Sequence, residues 1–484
     1  MLVGYGQVNH RDDTETVEPV DLMATAARHA AADRVLGAVD SIRVVNLLSA
    51  QYRDPGALVA QRIGADHAVT RYSPVGGNVP QSLVNQACLD IANGRAGVVL
   101  LAGGEMWHTR TARRRAGAKL AWTHQDDTVP MAPCLGEDVP MNGPEQQRIG
   151  LDRPAYVYPL FEQALRIAAG ESVEEHRRRI GELWSRFNAV AVDNPHAWIR
   201  ERISAEEIWQ PGPKNRMISW PYTKLMNSNN MVDQAAAVVL TSVQIATDLR
   251  IPADRWVFPQ AGADAHDTYA IGERAELHRS PAIRIAGDRA LELADCAGID
   301  DIDHVDLYSC FPSAVQVAAS ELGVATDDPG RPLTVTGGLT FAGGPWNNYV
   351  LHSIATMAEL LVANPGRRGL ISANGGYLTK HSFGVYSTTP PVSGFRWQDV
   401  QTEVDSQPTR ACLHRWQGTG TVESWTTPFD RDGRPAQAFL AVRTPDGSRT
   451  LAVVGDAEAV ESTVIDDIAG AAVDVHDDGT ATLR

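Results

Sequence analysis

One unit occurs twice in this chain, and the repetition constrains its fold more than any single residue does. Ser73 to Glu105 reads SPVGGNVPQSLVNQACLDIANGRAGVVLLAGGE, and Thr336 to Tyr386 reads TGGLTFAGGPWNNYVLHSIATMAELLVANPGRRGLISANGGYLTKHSFGVY. Each runs from paired glycines through a helix-like segment and an apolar strand into a second glycine turn. Gly76-Gly77 answers Gly343-Gly344, and Val98 to Ala102 before Gly103-Gly104 answers Leu370 to Ala373 before Gly375-Gly376. Such a duplication predicts two similar halves whose glycine turns meet at their interface, where ligands bind at the carboxyl ends of strands.

The flanking pattern agrees. Helix-like segments at Pro19–Ala38, Pro55–Ile63 and Gln81–Asn93 alternate with strand-like runs at Ile42–Leu47 and Ala68–Tyr72. That alternation predicts βαβ units and a parallel sheet covered on both faces. In the second half, Val257 starts a strand, Ser280–Ala297 and Pro312–Leu322 are helical, and Asp303–Tyr308 takes the place of Ser41–Leu47. Asp233–Thr241 reads as a small-residue helix start running into a strand. Between about 107 and 220 the alternation stops, and helices at Tyr156–Ala169 and Val173–Asn188 mark an insertion. After Thr388-Thr389-Pro390-Pro391, short strands with Asp432-Gly433 and Asp446-Gly447 turns predict a small β-barrel or sandwich. The expected divisions are 1–250 (with the insertion), 251–395 and 405–484.

At 484 residues the chain is too long for one core. A formal charge of −16 opposes a nucleic-acid partner. No run of about 18 apolar residues predicts a membrane span, and no secretory leader pattern appears. Five scattered cysteines without C-x-x-C spacing predict a reduced, cytoplasmic setting and no structural metal.

These motifs together resemble the thiolase superfamily, most closely the sterol-carrier-protein-linked thiolases. Ala102-Gly103-Gly104-Glu105-Met106 is similar to the thiolase G-G-x-E-x-M signature. Asp306 to Phe311 stands where that subfamily has H-D-C-F. Gly343-Gly344-Pro345 stands for G-H-P, and Ser372 to Gly376 for C-x-G-G-G. The resemblance covers roughly residues 1–395. It implies an α/β, layered αβαβα thiolase fold, an inserted loop domain that holds coenzyme A, and a fused C-terminal OB-like β-barrel. It also implies a nominal acetyl-CoA acetyltransferase or acyltransferase of lipid metabolism, with coenzyme A or acyl-CoA as ligand and no tightly bound cofactor. Thiolases associate as dimers or tetramers through the first half's edge strand. For a chain with a fused barrel, a homodimer and a monomer both stay open.

The resemblance also marks departures. The nucleophilic cysteine aligns with Gly76, the activating histidine with Gly344, the second cysteine with Ala373, and the water-orienting residue with Tyr308. Covalent thiolysis is therefore not expected. What remains is backbone: Gly76, Gly77, Gly344, Gly375 and Gly376 are expected to offer N–H groups to a thioester oxygen. Around them, Asn78, Tyr308, Asn374, Tyr377 and His381 are the candidate catalytic side chains, with His381 placed in a loop. Each also has a plain structural reading, as a packed ring or a turn cap. Cys310 reads as a small buried hydrophobe. Arg110, Arg113, Arg114 and Lys119 are candidate ligands for coenzyme A phosphates, or else a solvated face. Two functions follow: non-covalent carbon–carbon bond chemistry on a CoA thioester, or a silent acyl-CoA binder with an OB-type interaction module.

Overall fold

The computed structural model describes residues 1–12 and 17–484. The first half builds a sheet from β1 (Leu2–Asn9), β2 (Ser41–Val44), β3 (Val69–Tyr72) and β4 (Val98–Met106). A short hairpin of β5 (Met217–Trp220) and β6 (Tyr222–Thr223) follows the insertion, and β7 (Asp233–Thr241) completes the sheet in the order β1-β7-β4-β2-β3. The second half supplies β8 (Phe258–His266), β9 (His304–Asp306), β10 (Arg368–Gly375), β11 (Lys380–Ser387) and β12 (Arg396–Asp399), ordered β12-β8-β11-β10-β9.

The repeat seen in the residues is thus a repeat of topology, with β1-β7-β4-β2 answered by β8-β11-β10-β9. Both sheets are mixed rather than parallel as expected. In each half the last strand of the repeat, β7 or β11, inserts antiparallel between two earlier ones. Only β2 with β3 and β4, β9 with β10, and β12 with β8 run parallel. Asp233–Thr241 is strand throughout. Its Ala235-Ala236-Ala237 run favours a helix locally, but every residue of it is buried between two neighbours, and tertiary pairing decides. Lys380–Ser387 is also strand, which moves His381 out of the expected loop and opposite Asn374.

Helices Pro19–Ala30 and Pro55–Ile63 cover the outer face of the first sheet, and Pro281–Leu293 covers that of the second. Between the sheets lie Val79–Ala92 and Tyr349–Ala363. Tyr349, Leu351, Ile354, Met357 and Leu361 are all buried, as a helix apolar on every side must be when sheets pack on both flanks. The result is the five-layer αβαβα stack. Helix Pro19–Ala30 stops at Ala31, and a separate turn, Asp33–Leu36, covers the rest of the expected span.

The C-terminal segment adds β13 (Gly418–Pro428), β14 (Ala438–Arg443), β15 (Arg449–Val454), β16 (Ala472–Val475) and β17 (Ala481–Leu483), ordered β15-β14-β13-β16-β17. A parallel bridge from Val453 to Thr480 brings the outer strands together, and a helix, Ala457–Ile465, sits among them. This sheet does not stand apart. β5 pairs with β13, and Met217 and Trp220 share a core with Val422, Trp425 and Leu440. Among the described residues no helix is long and apolar enough to cross a membrane.

Candidate functional site

A cavity of about 510 Å³ opens where the halves face each other. Its wall takes Gly76 and Gly77 from one half, Gly375 and Gly376 from the other, and Tyr308, Asn374 and Tyr377 beside them. A larger groove of about 930 Å³ along Trp198–Asn215 borders none of these turns. Four helices begin at the smaller cavity's wall. They are Val79–Ala92 after Gly76-Gly77, Pro154–Ala169 with Pro154 and Ala155, Pro312–Leu322 after Cys310-Phe311, and Tyr349–Ala363 after Trp346-Asn347. All four turn the positive end of the helix dipole toward one space.

The glycines divide by what their amides already hold. The Gly76 N–H donates to Asn347 Oδ1 at 3.0 Å, and the Gly344 N–H to the Asn229 carbonyl at 3.0 Å. Those two expected oxyanion donors are engaged. Among the described residues the N–H groups of Gly77 and Gly376 have no protein acceptor, and both residues border the cavity. Gly77 has no room for a side chain, because a Cβ would collide with the Asn374 carbonyl oxygen and the Tyr308 hydroxyl.

Tyr308 therefore stands directly against the glycine turn. Burial pushes its phenol well above the ordinary value, and Cys310 and Tyr349 add to the shift. At neutral pH it therefore keeps its proton and has an O–H to donate. Asn374 donates through Nδ2 to Tyr158 Oη at 2.9 Å, while its Oδ1 is buried without a partner. Tyr158 Oη also accepts from the Leu378 N–H at 2.9 Å and donates to the Gly376 carbonyl at 3.1 Å. This tyrosine fixes the second glycine turn. Sequence reasoning missed it because it lies in the insertion, far from either repeat.

Other candidates are placed differently. Tyr377 donates its hydroxyl to the Asp152 carbonyl at 2.6 Å, and burial pushes it up to about 12. It ties the turn to the insertion rather than moving protons. His381 is buried behind Tyr308 and Asn374, beside a void of about 10 Å³ rather than the main cavity. Its Nε2 lies 3.5 Å from the Asp267 carboxylate, too poorly aimed for a hydrogen bond. Asn78 Oδ1 is buried and unpartnered beside Gly76 and Gly375. Cys310 is on the wall, and its thiol is pushed up to about 12 by burial, which suits a packed hydrophobe.

The basic run lies on helix Trp107–Arg115 and just beyond it, and none of its members borders the cavity. Arg110 donates to the Leu48 and Ser49 carbonyls at 3.2 and 2.7 Å, and Arg114 and Lys119 are exposed. The cations that do border it are Arg153 and Lys380, which the sequence reading passed over.

Glu105 of the G-G-x-E-x-M motif holds the same loop from inside. Its two carboxylate oxygens accept the Leu48 and Ser49 N–H groups, each at 2.7 Å. Burial pushes its pKa up to about 7. Between the ordinary carboxylate value and about 7, the folded protein keeps a proton that the unfolded chain releases. This group's contribution to stability therefore falls as pH rises through that window, by on the order of 2–3 kcal/mol. Denaturant midpoints at pH 5 and pH 7.5 check this: wild type should lose that much more than Glu105→Gln. Equal losses would contradict it.

Fold and site define a member of the thiolase superfamily. Comparison with known proteins narrows this. A solved structure of a monomeric SCP2-thiolase-like protein type 1 from Mycobacterium smegmatis is 33% identical, covering 100% of this chain and 98% of that one, with a TM-score of 0.85. Residues 399–480 match the family model of the thiolase-like protein type 1 additional C-terminal domain. The chain belongs to the SCP2-thiolase-like proteins of type 1. The dimeric peroxisomal thiolase of Saccharomyces cerevisiae shares the fold at 14% identity and TM-score 0.57, over 80% of this chain and 96% of its own. The human mitochondrial 3-ketoacyl-CoA thiolase does so at 17% and 0.57, over 80% and 98%.

Proposed function

We propose that this protein binds a coenzyme A thioester in the 510 Å³ cavity and makes or breaks a carbon–carbon bond on it without a cysteine nucleophile. The observation that carries this is the pair of unengaged amides, Gly77 and Gly376, set across one cavity beside the Tyr308 hydroxyl. Such donors stabilise the negative charge that develops on a thioester oxygen when an enolate forms. In the cleavage direction the 3-hydroxyl proton goes to solvent, the electrons of the carbon–carbon bond pass onto the thioester as an enolate, and Tyr308 gives its proton to the α-carbon and is reprotonated by solvent. Among the described residues the wall's one thiol, Cys310, is pushed up by burial and does not suit a ping-pong acyl transfer. We place the activity in lipid metabolism and the protein in the cytosol, where its five free cysteines would stay reduced.

A second reading, a silent acyl-CoA binder, is favoured by two facts. Tyr377 is tied to Asp152, and His381 lies behind the wall. Incubation with acyl-, 3-oxoacyl- and 3-hydroxyacyl-CoA, with products read by mass spectrometry, separates the readings. Shortened or lengthened acyl chains from wild type, lost in Tyr308→Phe, are expected. Binding without turnover would leave the silent binder standing.

We also propose that the protein is a monomer. The outer edge of β3, where a partner strand would dock, is capped by the insertion at its last residue: the Tyr72 N–H donates to the Pro133 carbonyl at 3.0 Å and the Leu135 N–H to the Tyr72 carbonyl at 2.8 Å. The C-terminal strands we read as an OB-type barrel, on their order and the Val453–Thr480 bridge.

A further inference from the structure

The position that a thiolase nucleophile would occupy is crowded by a lysine. Lys380 opens β11, paired opposite Gly375. Its Nζ lies about 3.1 Å from where a Cβ on Gly76 would stand, and Asn78 Oδ1 lies 2.5 Å from the same point. The ammonium donates to the Val75 carbonyl at 2.7 Å, which occupies one of its three protons. Among the described residues no carboxylate pairs with it. Asp138, the acid that acts on it electrostatically, already accepts the Val75 N–H at 2.6 Å. Among the described residues no aspartate or glutamate belongs to the cavity wall, and the second cation there, Arg153, is largely exposed. Four helix starts add positive potential to the same space. In a chain of net charge −16, an acid-free cavity with an unpaired ammonium is selective for a negative group.

We propose that Lys380 anchors a carboxylate carried by the acyl part of the thioester, so that the substrates are carboxylated acyl thioesters rather than simple fatty ones. This rests on the CoA-thioester reading above and narrows it. Burial lowers the lysine's pKa, in keeping with a cation that lacks a partner until ligand arrives.

Calorimetric titration with chain-matched pairs, butyryl- against succinyl-CoA and hexanoyl- against adipoyl-CoA, tests it on wild type, Lys380→Met and Lys380→Arg. In at least one pair the carboxylated member should bind wild type tenfold or more tightly. Lys380→Met should weaken that member about 30-fold and the neutral one less than threefold. Lys380→Arg, which keeps the charge, should retain the preference. Equal affinities within both pairs, or equal weakening of both members by Lys380→Met, would overturn the anchor while leaving the thioester reading intact. Absence of binding by all four ligands removes both.

Discussion

Gly77→Ala is expected to destabilise the protein by about 3 kcal/mol and to abolish thioester binding. Gly77 belongs to the first half, and the atoms a Cβ would meet, the Asn374 carbonyl oxygen and the Tyr308 ring and hydroxyl, belong to the second. One of these is backbone within β10, where Asn374 is paired with His381 of β11, so it cannot swing aside as a flexible side-chain tip would. The halves must separate locally, or Tyr308 must leave its place. Overpacking against rigid structure costs about 1–3 kcal/mol, and here two groups are displaced at once. The objection to alanine is space, since the φ of Gly77 lies outside the left-handed region that favours glycine. Urea midpoints and calorimetry on the same preparation read both effects. A variant as stable as wild type, with unchanged affinity, would show that the halves do not meet as described.

Arg449→Met should have an effect of similar size from the far side of the molecule. Arg449 lies in β15 with its side chain fully buried. Its Nε and one terminal nitrogen grip the two oxygens of Glu423 at 2.7 Å each, and the other donates to the Gly272 carbonyl at 2.9 Å and the Arg274 carbonyl at 2.5 Å. Arg274 in turn points inward and donates to the Tyr377 carbonyl at 3.0 Å and to that of Leu378, just past the Gly375-Gly376 turn. The C-terminal segment is therefore linked to the cavity by two arginines in series. Removing the first leaves Glu423 and two buried carbonyls short of donors, though Arg443 still faces Glu423 at 3.0 Å. A loss of about 3 kcal/mol follows, with weaker ligand binding because the turn is no longer braced. Amide exchange should rise at Tyr377 and Leu378 as well as around residue 449. Exchange confined to the C-terminal strands would argue against the link.

The link explains why the site was only partly legible. Pro55–Ile63 and Pro312–Leu322 are readable residue by residue because proline opens each, and Gly64 and Gly323, both left-handed, close them. The repeat is readable because its apolar strands end in paired glycines. β1 is hidden in the sequence because Gly4 and Gly6 interrupt its pattern. Those glycines are there because the Ala26 and Ala30 carbonyls of a neighbouring helix come too close for any Cβ. β11 was missed for a related reason: Gly384 lies against the Gln81 side chain, and Lys380 and His381 disguise a strand as a polar loop. Tyr158 meets Asn374 across 216 residues of chain, and the Lys380 ammonium meets Val75 across 305. No local pattern carries that information. Asn374 and the glycine turns are legible because each lies inside the repeat, and Tyr308 because it lies in the Asp306–Phe311 stretch that carries the family resemblance.

The central claim is that a CoA thioester occupies the cavity between the paired glycine turns. Ala155, at the start of helix Pro154–Ala169, borders that cavity and is half-buried, so Ala155→Trp would fill its mouth without disturbing the sheets. Titration calorimetry of wild type and Ala155→Trp with one acyl-CoA that wild type accepts tests the claim most directly. Saturable binding by wild type, lost or weakened at least 30-fold in a variant that unfolds at the same urea concentration, is the predicted result. Equal affinity in both proteins would place the ligand elsewhere, and no binding of any acyl-CoA by wild type would contradict the account.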